Sequence, residues 1–62
     1  MSVISVDFVR GAREARKQVE TGDIYDIPGA LYLFQLDPAD SDFQRGFEQY
    51  LRSTLNRERS DD

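Results

Sequence analysis

A chain of 62 residues that writes nearly the same five residues twice has few ways to fold. Asp7-Phe8-Val9-Arg10-Gly11 returns as Asp42-Phe43-Gln44-Arg45-Gly46, the two copies differing only at their third position and starting at 7 and 42. Placed on a helix at about 100° per residue, each copy sets its Phe and Gly on one side and its Arg on the other. A glycine inside a helix costs about 1 kcal/mol relative to alanine. Such a residue often marks the place where a neighbouring backbone comes close. The repeat therefore predicts two matched helix starts packed against each other, with Arg10 and Arg45 turned outward.

The residues around each copy extend this pattern. Phe8, Ala12, Ala15 and Val19 fall within about 60° of one another, with Arg10, Arg13 and Lys17 opposite and Arg16 at the boundary. Ser5 or Asp7 caps this first helix, and Thr21-Gly22 ends it, because glycine is favoured just past a helix end. The second long helix carries Phe43, Phe47, Tyr50 and Thr54 on one stripe, broadened by Leu51 and Leu55, with Arg45, Arg52 and Arg59 on the far side. It starts either at Asp37-Pro38 or at Ser41, where Ser41-Asp42-Phe43-Gln44 reads as a capping box. Glu48 precedes Arg52 by four residues, the favourable order for a helical ion pair. From Asn56 the chain reads as a polar tail.

Between the long helices, Gly22 to Gly29 is a connection punctuated by Pro28 and Gly29. Ala30 to Leu36 is almost wholly apolar. No β-branched residue occurs from Pro28 to Ser53, which favours a short helix with Asp26 as its cap and Pro28 in its first turn. The alternative is β-α-β-α, with Val3 to Val6 and Ala30 to Leu36 as strands.

The fold expected is all-α, a small three-helix arrangement of two long amphipathic helices and a short apolar middle one. Residues 1–62 form a single small domain, with 1–5 and 58–62 frayed. The long helices pair as a helical hairpin, Gly11, Ala12 and Ala15 facing Phe43, Phe47 and Tyr50. Leu31, Leu33, Phe34 and Leu36 of the middle segment cover the apolar surface that remains.

Size then restricts what this domain can do. A chain this short buries only roughly 60% of the surface that its unfolded form exposes. Domains of this size usually gain stability from disulfides, a metal or association. With no Cys and no His, association is the route left open. The start of the chain lacks the basic segment and long apolar core of a signal peptide. Its longest apolar run, Ala30 to Phe34, falls far short of the roughly 20 residues that span a bilayer. A soluble, cytoplasmic protein without a membrane partner is expected.

Net charge is −4 and the sequence pI about 4.6, yet the charges are segregated. The helical stretches hold the bases, and the connections and tail hold most of the acids. Asp37, Asp40 and Asp42 cluster near a turn without the spacing, glycine and terminal glutamate of a calcium loop, and read as helix-start acids. No nucleophile with an evident base and no phosphate-cradling loop is present, so neither enzymatic chemistry nor a cofactor is expected.

Three kinds of partner fit. Tyr25, Tyr32, Phe34 and Tyr50 exceed what so small a core can hide, and surface aromatics anchor protein interfaces. The leading expectation is thus a small acidic helical interaction protein, a regulator, adaptor or inhibitor. It binds another protein or pairs as a homodimer, and its size suggests a phage or bacterial accessory protein. Alternatively, Arg10, Arg13, Lys17, Arg45 and Arg52 on the outer helix faces track the phosphates of a nucleic acid. In the third reading, the uncompensated acids imitate a phosphate backbone and occupy a DNA-binding protein.

Overall fold

The computed structural model describes residues 5–59, which form α1 (Val6–Thr21), α2 (Ile27–Leu36) and α3 (Asp42–Arg59). No strand occurs among the described residues, and the fold is all-α. The β-α-β-α alternative falls because Ala30 to Leu36 is helical and Val6 already belongs to α1. The reason is local: Asp26 and Pro28 start a helix that nothing β-branched opposes after Ile27. Residues 1–4 and 60–62 of the expected frayed ends lie outside the described residues, and α3 continues through Arg59, beyond the Asn56 where the polar tail was expected.

Each helix end has a chemical cause. Phe8 donates its backbone N–H to Ser5 Oγ at 3.1 Å, so Ser5 rather than Asp7 caps α1. Gly22 adopts φ 88° and donates to the Val19 carbonyl, the left-handed stop that only glycine takes without strain. Asp26 caps α2 through the Gly29 N–H at 3.2 Å, with Pro28 in the first turn. Ser41 caps α3 through the Gln44 N–H, while the Gln44 side chain reaches back to the Asp40 N–H at 3.0 Å. This is the capping-box logic moved by one residue. Asp37-Pro38 does not start α3; Asp37 closes α2, its N–H bonded to the Leu33 carbonyl.

The doubled stretch is the crossing point of α1 and α3. A Cβ built on Gly11 would strike the Phe43 carbonyl, and one built on Gly46 would strike the Phe8 carbonyl. Each glycine thus lies against the backbone of the other copy's phenylalanine, a reciprocal contact made twice. Further along, Arg16 and Tyr50 line one shallow groove, and Ala15 and Leu51 meet in the core. Residue numbers therefore rise together along the two helices, which run parallel. The two helix starts pack against each other as the repeat predicts, so α1 and α3 are a parallel pair rather than the two arms of a hairpin, and α2 supplies the return leg between them.

Parallel α1 and α3 share a long contact, and α2 packs on α3. The Cα atoms of α1 and α2 stay more than 8 Å apart throughout. Among the described residues only Ala15, Ile27 and Leu51 are buried apolar side chains; Val19, Leu31, Phe47 and Leu55 pack around them half-covered. Phe34 of α2 meets Phe47 of α3 with ring centroids 6.2 Å apart and planes tilted by 47°, within the range of favourable aromatic pairing.

Candidate functional site

α2 is a ten-residue helix in which Gln35 and the Tyr32 hydroxyl supply the only polar side-chain groups. A helix apolar all round requires cover all round, and this one is covered on one side. At about 100° per residue, Ala30, Phe34, Ile27 and Leu31 form the side that meets the core. Tyr32, Leu36 and Leu33 occupy an arc of about 100° on the other side. These three are 55%, 65% and 64% exposed. Leu33 and Leu36 therefore do not cover the core as the sequence suggested. The arc that Ile27 and Leu31 take for packing excludes them.

The exposed arc borders a groove of about 520 Å³ between α2 and the first turns of α3. Leu33, Leu36 and Phe34 form one wall; Phe47 and Gln44 form the other. Ile24 lies at its edge, held there by a hydrogen bond from its N–H to the Gln18 carbonyl at 3.0 Å. Asp37 also lines the groove, at the C-terminal end of α2. That helix end has no basic residue in its last turn, so its carbonyl dipoles and the carboxylate add negative potential at the same place.

The wider surroundings have the same sign. From Gln18 to Gln44 the chain has six acids, Glu20, Asp23, Asp26, Asp37, Asp40 and Asp42, and no lysine or arginine. Two of the six are answered from neighbouring turns. Glu20 takes a hydrogen bond from Arg16 at 3.0 Å, and Asp42 takes one from Arg45 at 3.1 Å. The Glu20 bond and charge hold the Arg16 guanidinium above its ordinary pKa, with a smaller effect from Tyr50.

Of the aromatic residues singled out in the sequence, Tyr25 projects from the connection before α2 and is 91% exposed, and Tyr32 stands on the open arc. Phe34 is half-buried and lines the groove. Tyr50 is elsewhere, half-buried beside Phe8, Ala12 and Arg13 in a second hollow of about 280 Å³ between α1 and α3. The structure thus gathers Phe34 and Tyr32 on one element and separates Tyr50 from them. Sequence reasoning passed over Leu33 and Leu36 as site residues. The signal available was the composition of α2, too uniformly apolar for one side of a surface helix.

The arginine stripes divide. Arg10, Arg13 and Lys17 are exposed on α1 with no ion pair among the described residues. On α3, Arg45 pairs with Asp42, and Arg52 with Glu48 at 2.7 Å, so these two arginines are locally neutralised. No group of three acidic residues among those described is placed to hold a metal ion, and no helix among them is long and apolar enough to cross a membrane. No family model, curated protein or solved structure matches the chain.

Proposed function

We propose that this protein works by docking a different protein onto the open face of α2, as a small adaptor or inhibitor with no chemistry of its own. One observation carries the reading: Tyr32, Leu33 and Leu36 are adjacent on one arc, all more than half exposed, beside a groove walled by Phe34 and Phe47. A contiguous apolar patch rimmed by charge is characteristic of a binding surface, whereas scattered exposed hydrophobics are ordinary. Removing such leucines from water on docking is worth about 1.5–3 kcal/mol each.

The test is affinity capture from the cells that encode the protein, with the unaltered chain and the double variant Leu33→Asp/Leu36→Asp run in parallel. A protein recovered by the first and lost by the second supports the reading. Recovery unaffected by the double variant, or no recovery by either chain, would sink it.

A further inference from the structure

Resting on that docking face, we infer the chemistry of its occupant: a cationic amphipathic helix of the partner protein. Its apolar stripe seats in the groove, and its lysines or arginines meet the carboxylates around α2. The argument is one of fit and charge. α2 offers about three turns of apolar surface, roughly 15 Å at 1.5 Å per residue. A helix using anchors at i, i+3, i+4 and i+7 covers a similar length and is the common way an apolar groove is filled.

Charge then selects among the possible occupants. Asp26 stands at one end of α2 and Asp37 at the other. A second copy of this chain docked face to face would set Asp37 against Asp26 if the two α2 helices were antiparallel, and like against like if they were parallel. No lysine or arginine between residues 18 and 44 offsets either arrangement, and opposed like charges at an interface are strongly unfavourable. An anionic membrane surface is repelled for the same reason. A cationic helix instead gains twice at the Asp37 end, from the carboxylate and from the unopposed C-terminal dipole of α2.

The experiment uses two synthetic 15-residue peptides with the same leucine stripe, one with lysine at all its polar positions and the other with glutamate. Each is titrated into the isotope-labelled full chain and followed by NMR. The lysine peptide is expected to shift the amides of residues 33–37 and 44–47 and to bind at least about tenfold more tightly than the glutamate peptide at low salt. Leu33→Ser should weaken it by about tenfold or more, the loss of one buried leucine, and Asp37→Asn by several-fold. Leu33 and Asp37 are both exposed, so neither change threatens the fold.

Equal binding of the two peptides, shifts confined to acidic residues outside the groove, or no binding would overturn the inference. So would a dimer in sedimentation equilibrium that Leu33→Ser abolishes. If the peptides fail while Leu33→Asp/Leu36→Asp still abolishes capture, the docking face stands and the cationic occupant is wrong. If capture also survives the double variant, both readings fall.

Discussion

Gly11 and Gly46 show how much one missing carbon atom decides. Alanine is the better helix former by about 1 kcal/mol, so on propensity alone Gly11→Ala and Gly46→Ala should stabilise the protein. The atoms in the way are the carbonyls of Phe43 and Phe8, however, and backbone atoms cannot rotate aside as a side chain can. Overpacking typically costs about 1–3 kcal/mol, and an obstacle in the main chain belongs at the upper end or beyond. Each variant is expected to lose about 2 kcal/mol or more in urea denaturation. A midpoint equal to that of the unaltered chain would show that α1 and α3 do not touch there.

Thr54 should behave in the opposite way, because its hydroxyl is buried with no hydrogen-bond partner among the described residues. Thr54→Val removes an unsatisfied group at nearly constant shape, and a gain of about 1 kcal/mol is expected. The role of the glycines was readable in the sequence, since the same glycine set into two helical patterns points to a close backbone contact. The environment of Thr54 was not, because a threonine on an apolar stripe looks the same with or without a partner.

At the scale of elements, the caps were the most readable part. Ser5, Gly22, Asp26 and Ser41 act through bonds three residues long or shorter, so the local sequence contains both partners. The orientation of α2 about its own axis was not readable. Only Gln35 and the Tyr32 hydroxyl interrupt its apolar surface, and a helix without a polar face gives no phase. Which side turns inward is decided by Ile27 and Phe34 meeting α1 and α3, a tertiary fact. That is also why half of the candidate site was missed.

The two sides of α2 and α3 make a direct comparison possible. Leu51 is fully buried, and Leu51→Ala is expected to cost about 2–5 kcal/mol. Leu33→Gln and Leu36→Gln, at exposed positions, should stay within about 0.5 kcal/mol of the unaltered protein. Thermal melts of the three variants decide the matter. A large loss at Leu33 or Leu36 would mean that these side chains serve the core rather than a partner.

The whole molecule has a small core and is held together by one dominant contact, between α1 and α3. The surface ion pairs add little, since their partners stay largely in water, where attraction is screened. α2 leans on α3 and keeps its backbone away from α1. Removal of residues 50–62, which takes Leu51 and Leu55 from the core, should therefore unfold all three helices together. Circular dichroism of that truncated chain is expected to show a coil, and a persistent α1–α2 unit would contradict it. The number and order of the helices were legible in the sequence, because periodicity and caps are local. Their parallel pairing was legible only in the doubled stretch, whose two helix starts pack against each other, because nothing within one helix alone records the direction of its neighbour.

That parallel pairing also sets a timetable for the chain as it is made. Phe8 waits for Gly46, so the contact that holds the molecule together cannot form until its last helix has been synthesised. Closing so long a segment carries an entropic cost that grows with the logarithm of its length, and contacts distant in sequence slow folding. A chain that ends at Leu36 lacks Gly46, Phe47 and Leu51, the α3 residues against which α1 and α2 pack. Until α3 docks, the side of α2 that packs on it is as uncovered as the face proposed to bind another protein.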